Sequence, residues 1–149
     1  MCIRDSSNTG AISTDPENHD LMCHLRAEKV AKIPVPDVEV QGCADDADLL
    51  IVGFGGTYGH LYSAMEEMNK AGKKVALAHF TYLNPLPKNT ETVLKKYKKV
   101  VVAEQNLGQF AGYLRMKIDN FTPYQFNEVK GQPFVVAELV AAFNKLIDN

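Results

Sequence analysis

The chain has 149 residues, 16 basic and 18 acidic side chains, and a formal charge of −2. This length suits one domain with a substantial core, and the near-neutral charge excludes the basic footprint of a nucleic-acid-binding protein. No apolar stretch approaches the roughly 18 residues of a membrane-spanning helix, and the three cysteines lack the spacing of a disulfide framework or a zinc site. We therefore expect a cytoplasmic protein that binds neither nucleic acid nor membrane.

Residues 1–13 have the features of an irregular start. Met1–Ser6 show no hydrophobic periodicity and resemble a translated sequencing adapter, and the stretch from Ser7 to Ser13 is polar and loop-like. The sequence thus predicts a disordered or artefactual start over residues 1–13. It also leads us to expect that the natural protein continues upstream.

Residues 14–36 are predicted to form a helical arm and linker. Thr14 or Asp15 can cap a helix, Pro16 suits its first turn, and the helix should run to about Lys32 before two prolines end it. His19 and Cys23 would share one face of this helix. Two ligands do not make a metal site, so we expect no metal in this chain.

Residues 37–149 are predicted to form an α/β domain with a mostly parallel open sheet. The apolar run Leu49–Val52 has the length and branching of a strand buried on both faces. A glycine-rich turn and a helix follow it, which is the beginning of a βαβ unit. Later strands are predicted at 74–80, 100–103 and 124–129, with helices at 90–97, 109–118 and 135–147, and an edge strand at 38–42.

The glycine-rich turn from Gly53 to Gly59 could also indicate dinucleotide binding. However, Tyr58 stands where the G-x-G-x-x-G fingerprint needs its third glycine, and residues 73–84 lack the acidic side chain that would bind a ribose. A tight turn that packs the helix against the sheet is the favoured interpretation. A free-standing nucleotide-binding module remains an alternative.

The sequence offers few groups that could act in catalysis. Ligands of open α/β sheets bind at the carboxyl ends of the strands, where His60, His79 and Glu104 are the only plausible acids or bases. None has a recognisable partner in the sequence, and no nucleophile or phosphate-binding motif occurs. We therefore predict no catalytic residue and no metal ligand in this chain, and leave its cofactor-binding residues unassigned.

Several motifs, taken in order, carry a resemblance to a known family. Together they closely resemble the C-terminal end of the α subunit of 2-oxoglutarate:ferredoxin oxidoreductases, which belong to the thiamine-diphosphate-dependent 2-oxoacid:acceptor oxidoreductases. The resemblance covers roughly residues 9–149. Its motifs are Asp15–His19, Arg26–Val30, Asp48–His60, Tyr82–Lys88, Val101–Gln109 and Val129–Phe134.

The resemblance implies a fold and a reaction. The fold is the C-terminal α/β domain of a transketolase-like subunit, in which a pyrimidine-binding domain comes first. The reaction converts a 2-oxoacid, coenzyme A and oxidised ferredoxin into an acyl-CoA, CO2 and reduced ferredoxin. Thiamine diphosphate, Mg2+, a [4Fe-4S] cluster and coenzyme A serve the intact complex, with the diphosphate motif and the cluster cysteines on the partner β subunit.

The resemblance also suggests which loops matter. This chain would be inactive alone and would serve structure and subunit assembly. Its partners would be the β subunit, the pyrimidine-binding domain and, through the complex, ferredoxin. A pure protein-interaction domain is a further alternative. The candidate interface or channel residues are Gly55, Gly56, Thr57, Tyr58, Gly59, His60, Glu104, Asn106, Gly108, Gln109, Lys130, Gly131, Gln132, Pro133 and Phe134.

Overall fold

The computed structural model describes residues 4–148. The chain divides into two compact units. One contains the chain up to Val35 together with Tyr82–Leu86, and the other contains Pro36–Thr81 and the chain from Pro87 onward. Among the described helices, none is long and apolar enough to cross a membrane.

The first unit contains a short hairpin and one long helix. Strands β1 (Asp5–Ser6) and β2 (Ile12–Ser13) pair in antiparallel fashion, and α1 spans Pro16–Ala31. Of the two caps that the sequence allows, Asp15 is the one that caps α1, since its carboxylate accepts hydrogen bonds from the amides of Glu17 and Asn18. None of the α1 residues is buried within the described part of the chain.

The hairpin lies within residues 1–13, for which the sequence predicts a disordered or artefactual start. The Asp5 carboxylate forms two hydrogen bonds to Arg26, at 2.9 and 2.7 Å, and one to His19 Nδ1 at 3.0 Å. The hydrogen bond to Arg26, more than any other contact, holds the pKa of Asp5 well below its usual range. These partners are 14 and 21 residues away in sequence, so local periodicity could not reveal them. Residues 1–3 lie outside the described residues, and the division of the chain at residues 13 and 36 stays a prediction.

The second unit is a five-stranded sheet with helices on both faces. Its strands are β3 (Val40–Gly42), β4 (Leu49–Phe54), β5 (Val75–Phe80), β6 (Val100–Glu104) and β7 (Tyr124–Asn127), in the spatial order β3-β5-β4-β6-β7. Only β3 is antiparallel to its neighbour. The predicted class, a mostly parallel open α/β sheet, is thereby confirmed.

Helices connect successive parallel strands of this unit, and a last helix follows β7. A 3-10 turn at Gly55–Thr57 precedes α2, and the helices are α2 (Tyr58–Lys70), α3 (Thr90–Lys96), α4 (Gln109–Lys117) and α5 (Val136–Asp148). From β4 the chain moves outward to β5 and then crosses back to β6. The strand order therefore reverses between β4 and β6, which is the topological switch point of this sheet.

The core lies on both sheet faces because the central strands are apolar along their whole length. On one face, alternate strand residues such as Leu49 and Ile51 pack with Leu61 and Met65 of α2 and with Phe143 of α5. On the other face, Phe110 of α4 contacts Phe54 and Phe80 edge-on, with ring centroids 5.1 and 5.3 Å apart. Each such side chain contributes about 1.5–3 kcal/mol on burial.

Candidate interface at the carboxyl edge of the sheet

Three of the connections at the carboxyl edge of the parallel strands contain the candidate residues. We call them the β4–α2 turn (Gly55–Thr57), the β6–α4 turn (Gln105–Gly108) and the β7–α5 loop (Glu128–Val135). Because parallel strands end on the same side of a sheet, these connections share one edge, and the first two flank the switch point. This is the edge to which the sequence assigns the candidate loops.

The β4–α2 turn contains glycines with two different roles. A Cβ on Gly53, just before the turn, would lie 2.2 Å from Leu61 Cδ1, so this glycine lets α2 pack closely against β4. By contrast, a Cβ on Gly55, Gly56 or Gly59 would meet nothing within 4 Å. Packing thus explains the first glycine, as the sequence predicts, while the other three expose bare backbone.

The start of α2 lacks a side-chain cap. Thr57 occupies the N-cap position, but its hydroxyl donates to the Phe54 carbonyl at 2.8 Å and makes no cap hydrogen bond. Thr57 is buried, Tyr58 is exposed, and His60 is half-buried. The Tyr58 hydroxyl donates to Gln41 Oε1 at 3.2 Å, which fixes the tyrosine over the outer strand β3.

His79, at the end of β5, lies beside this turn. Its ring centroid is 5.1 Å from that of Tyr58. Burial lowers the pKa of His79 below its ordinary value, and hydrogen bonds to the backbone of Gly55 and Phe54 oppose part of that shift. Its Nε2 atom is buried without a hydrogen-bond partner. The neutral form of the His79 imidazole is therefore favoured, and its ring packs against the β4–α2 turn.

Glu104, the last residue of β6, is fully buried. Its carboxylate accepts the amides of Phe110 at 2.8 Å and Ala111 at 2.9 Å, both in the first turn of α4. A carboxylate suits this place because helix N-termini carry unpaired amides and a partial positive charge. Glu104 is thus a helix cap within the fold, and its oxygens are already occupied by amides of its own chain.

The β6–α4 turn is further closed by Asn106. Its Oδ1 atom accepts the amides of Gly108 at 2.8 Å and Gln109 at 3.0 Å. Gly108 has a φ of +95°, and a Cβ there would lie 2.4 Å from Gln125 Oε1. The turn therefore needs glycine at this position for its backbone conformation.

Ion pairs and one buried aromatic ring stabilise the β7–α5 loop. Lys130 lies 2.5 Å from Glu128 and 3.6 Å from Glu138, and its pKa is raised, chiefly by the hydrogen bond to Glu128. Phe134 is buried edge-on against Phe126, with ring centroids 5.6 Å apart. Gly131, Gln132 and Pro133 are exposed.

The second and third connections contact each other directly. Gln105 Nε2 donates to the Gln132 carbonyl at 2.6 Å, and the Glu128 amide donates to the Glu104 carbonyl at 3.1 Å. The structure thus brings together two of the three predicted candidate loops. Sequence reasoning did not single out Gln105, which joins them, because its partner is 27 residues away.

A separate cluster in the first unit has the side chains of a metal site. Ligand atoms of Asp5, His19 and Cys23 lie within 4.8 Å of one another. However, Arg26 holds both carboxylate oxygens of Asp5 and lies 3.4 Å from Cys23 Sγ. A guanidinium already compensates the carboxylate, so the cluster is better described as an ion pair beside an exposed thiol.

The family of the chain follows from comparison with known proteins. Residues 47–136 match the family model described as pyruvate:ferredoxin oxidoreductase core domain II. The chain belongs to this family. The match covers β4 to β7, all three connections at the carboxyl edge, and the first residue of α5. The family resemblance that the sequence motifs carry is thereby confirmed.

Curated relatives of this core domain II chain are oxidoreductase subunits. It is 44% identical over 139 residues to the 2-oxoglutarate oxidoreductase subunit KorA of Mycobacterium tuberculosis. This match covers 92% of the chain and 21% of the KorA subunit. It is 28% identical to the α subunit of 2-oxoacid:ferredoxin oxidoreductase 2 of Aeropyrum pernix, over 93% of the chain and 23% of the relative. The chain therefore spans about a fifth of the length of these relatives.

Solved structures support the same assignment for the core domain II fold. A 2-oxoglutarate:ferredoxin oxidoreductase from Magnetococcus marinus, solved with 2-oxoglutarate, coenzyme A and succinyl-CoA bound, superposes with a TM-score of 0.79 at 28% identity. The match covers 95% of this chain and 25% of that one. A split-gene transketolase matches with a TM-score of 0.56 at 16% identity, over 78% of this chain and 44% of the other, which shows the shared fold alone. The predicted transketolase-like fold is thus confirmed.

Proposed function

We propose that this chain is the C-terminal part of the α subunit of a 2-oxoglutarate:ferredoxin oxidoreductase. The whole enzyme would convert a 2-oxoacid, coenzyme A and oxidised ferredoxin into an acyl-CoA, CO2 and reduced ferredoxin. The observation that carries the proposal is the 44% identity to the KorA subunit over 92% of the chain. 2-Oxoglutarate is the proposed 2-oxoacid because both that relative and the M. marinus structure are named for it.

Within that enzyme, this part would serve structure and subunit assembly. The strongest support is that two of its polar groups at the carboxyl edge form hydrogen bonds within the chain itself. The Glu104 oxygens accept two amides of α4, and the His79 ring hydrogen-bonds to the backbone of Phe54 and Gly55 beside it. Neither group is arranged with a second acid or base toward a reacting atom, so both stabilise the fold.

A [4Fe-4S] cluster does not fit the residues of this chain, and the start of α4 does not fit thiamine diphosphate. A [4Fe-4S] cluster takes four thiolates, whereas the sequence has three cysteines, of which Cys23 is exposed and Cys43 half-buried with its Sγ 3.6 Å from Asn69 Oδ1. The helix start nearest the switch point on the β6 side has its amides bound by Glu104 and Asn106, which leaves no place there for the diphosphate of thiamine diphosphate. We derive no step through these groups, nor through Mg2+, on this chain.

The partners would follow from the same proposal. They are the β subunit, a pyrimidine-binding domain of the α subunit and, through the assembled complex, ferredoxin. Such an enzyme would be cytoplasmic, in keeping with the lack of a membrane-spanning helix among the described residues. Coenzyme A would be a substrate of the complex.

The test is an assay of the assembled enzyme against this chain alone. The α subunit that contains the chain is co-expressed with its β subunit, and ferredoxin reduction is measured with 2-oxoglutarate and coenzyme A. We expect activity from the complex and none from the 149-residue chain, even with thiamine diphosphate and Mg2+ added. Pyruvate, supplied in place of 2-oxoglutarate, is the substrate control.

Two results would contradict the proposal. One is turnover by the isolated chain, which would place the chemistry on its own residues. The other is an assembled complex that reduces ferredoxin with pyruvate and not with 2-oxoglutarate. The nucleotide-binding alternative is tested in parallel by calorimetric titration of the chain with NAD, ATP and coenzyme A. Tight saturable binding of NAD or ATP would favour that alternative.

A further inference from the structure

The first unit contains a cluster of reactive side chains that the proposed function does not use. His19, Cys23 and Arg26 stand four and three residues apart in α1, so the helix itself places them on one face. The Cys23 side chain is exposed, and α1 has no buried residue among those described. The sulfur is therefore open to small molecules in solution.

Two nitrogen atoms contact the Cys23 sulfur. His19 Nε2 lies 3.8 Å from Sγ, and Arg26 Nη2 donates a hydrogen bond to Sγ at 3.4 Å. The imidazole nitrogen can take the proton of the thiol. The guanidinium can stabilise the negative charge that then forms on sulfur.

The Asp5 carboxylate determines which nitrogen of His19 is the base. It lies 3.0 Å from His19 Nδ1, and its hydrogen bond to Arg26, more than any other contact, holds the pKa of Asp5 below its usual range. An ionised carboxylate only accepts hydrogen bonds, so Nδ1 donates to it and the lone pair of the neutral ring is on Nε2. The ring therefore presents its basic atom to the Cys23 sulfur. A nucleophile, a base and a group that orients the base are the parts that activate a thiol.

The other cysteine that the structure describes is a useful comparison. Cys43 is half-buried, and its thiol donates to Asn69 Oδ1 at 3.6 Å. An amide oxygen accepts a hydrogen bond but does not remove the proton. The same chain thus contains one thiol beside an imidazole and a guanidinium, and one thiol beside an amide.

We propose that Cys23 is a thiol–disulfide exchange site for small disulfides. In it, His19 is the base, Arg26 stabilises the sulfur anion, and Asp5 is the positioning residue that orients His19. The ligand class follows from the open helix face, because exchange needs an accessible thiolate and no enclosed pocket. The product is a mixed disulfide on α1. This site goes beyond the proposed function and does not depend on it.

The exchange step is balanced by the same groups. His19 Nε2 takes the proton of Cys23, and the thiolate attacks one sulfur of the disulfide. A bond forms between Sγ and that sulfur while the original S–S bond breaks. The other half of the reagent leaves as a thiolate, takes the proton from His19 and departs as a thiol. Cys23 is thereby oxidised to a disulfide, and the departing half is reduced.

The experiment measures how fast the reduced chain reacts with glutathione disulfide. The whole 149-residue chain carries Cys2→Ser, which leaves Cys23 and Cys43 as its thiols. Peptide mass spectrometry quantifies the mixed disulfide on each. We expect Cys23 to react about tenfold or more faster than Cys43. Since exposure alone contributes to this difference, the decisive comparison is between variants in which Cys23 stays exposed.

The first pair of variants tests the base. His19→Gln removes the imidazole and should slow the reaction of Cys23 roughly tenfold or more. The matched control is His24→Gln, which removes the histidine next to Cys23 in the sequence. Because His24 Nδ1 lies 2.9 Å from the Asp20 carbonyl oxygen and not against the sulfur, this change should leave the rate nearly unaltered.

The second pair tests the guanidinium. Arg26→Gln should slow the reaction of Cys23, whereas Lys29→Gln, which removes a positive charge elsewhere on α1, should have little effect. Far-UV circular dichroism checks that α1 stays helical in every variant. If His19→Gln unfolds the helix, the comparison of Arg26→Gln with Lys29→Gln decides in its place.

Asp5 acts through His19, so its test needs a readout on the imidazole ring. Nitrogen NMR shifts of His19 should show the Nδ1–H tautomer in the wild type and a gain of the Nε2–H tautomer in Asp5→Asn. Asp5→Asn should also react more slowly. Combined with His19→Gln, it should react no more slowly than His19→Gln alone, whereas two independent effects would add.

Two results would overturn the inference. One is a His19→Gln chain whose Cys23 reacts as fast as it does in His24→Gln, with α1 intact in both. The other is an advantage of the wild type over His19→Gln that persists when both chains are unfolded in urea, because contacts of the fold cannot act there. An α subunit that fails to form an active oxidoreductase would contradict the proposed function alone.

Discussion

The β4–α2 and β6–α4 turns follow the same plan but are stabilised in different ways. Each leads from the carboxyl end of a buried strand into a helix and contains glycine. The start of α2 has no side-chain cap, and Gly55 and Gly56 are open to solvent, whereas Glu104 and Asn106 bind four amides at the start of α4. The same sequence pattern thus gives two different helix starts. The backbone at the start of α2 is exposed, whereas side chains of the chain itself bind the amides at the start of α4.

Glycine is required at a different place relative to each turn. At the β4–α2 turn, close packing requires the glycine that precedes it, since a Cβ on Gly53 would enter the space of Leu61. At the β6–α4 turn, the backbone conformation requires Gly108, with its φ of +95°. Substitutions in and beside the two turns should therefore have different effects on stability.

The largest effect is expected from Glu104→Ala, which would leave the amides of Phe110 and Ala111 in the first turn of α4 without acceptors. Two buried amides would lose their acceptors, so the free energy of unfolding should fall by about 3 kcal/mol. Chemical denaturation of the chain measures the change. The control is Glu91→Ala, whose exposed carboxylate pairs with Lys95, and it should cost less than about 0.5 kcal/mol. A loss of similar size in both variants would refute a special role for Glu104.

A smaller effect is expected from Gly53→Ala. The new methyl group would lie 2.2 Å from Leu61 Cδ1 and 2.9 Å from Thr57 Oγ1, so the buried Leu61 side chain or α2 itself must shift. We expect a loss of about 2 kcal/mol, typical of overpacking. Gly56→Ala is the matched control, since a Cβ there meets nothing within 4 Å and the change should be near zero. Equal stability of the two variants would show that close packing is not the reason for Gly53.

Substitution of two glycines of the β6–α4 region by alanine should change the stability of the chain in opposite directions. Gly108→Ala forces a side chain into a left-handed conformation and should cost about 1–2 kcal/mol. Gly112→Ala lies within α4 with open space around the new methyl group, so it should stabilise the chain by about 0.5–1 kcal/mol. Thermal unfolding of both variants measures the difference. A stabilising Gly108→Ala would contradict a left-handed backbone at this position of the turn.

The smallest effect concerns the pH dependence contributed by His79 beside the β4–α2 turn. Its pKa is lowered in the folded state, so the unfolded chain takes up the proton more readily. Its contribution is fully present above the ordinary histidine pKa of about 6.5 and is lost as pH falls from there through the folded-state pKa. We expect the wild type to lose more stability than His79→Asn between about pH 7 and pH 5.

Parallel unfolding curves in that pH range would argue against burial of the His79 ring. Asp5 does not confuse this measurement. Its pKa is lowered from an ordinary value near 4, so its contribution is lost only as pH falls below that value. The acid-sensitive range of Asp5 thus lies below the one used for His79.

The amino-acid sequence by itself determined the features that depend on local pattern. The apolar run Leu49–Val52 identifies a doubly buried strand, and Leu139 and Phe143 at helical spacing identify the buried face of α5. Asp15, placed just before Pro16, identifies the start of α1. These predictions succeeded because strand alternation, helix periodicity and capping involve residues close together in the chain. The linked motifs at the loops likewise identified the family.

Only the tertiary structure decided what those loops do. The sequence does not show that Glu104 turns inward to cap α4 or that Gln105 binds the Gln132 carbonyl. It predicts that the glycine-rich turn packs a helix against the sheet, but it does not show that Gly53 makes this contact while Gly55 faces solvent. It also does not reveal the hairpin at Asp5–Ser13. In each case the deciding contact depends on how separate segments are brought together in space. The local sequence pattern does not reveal such contacts. Two turns of similar sequence can have bound or exposed backbone amides, because this depends on which side chains folding places beside them.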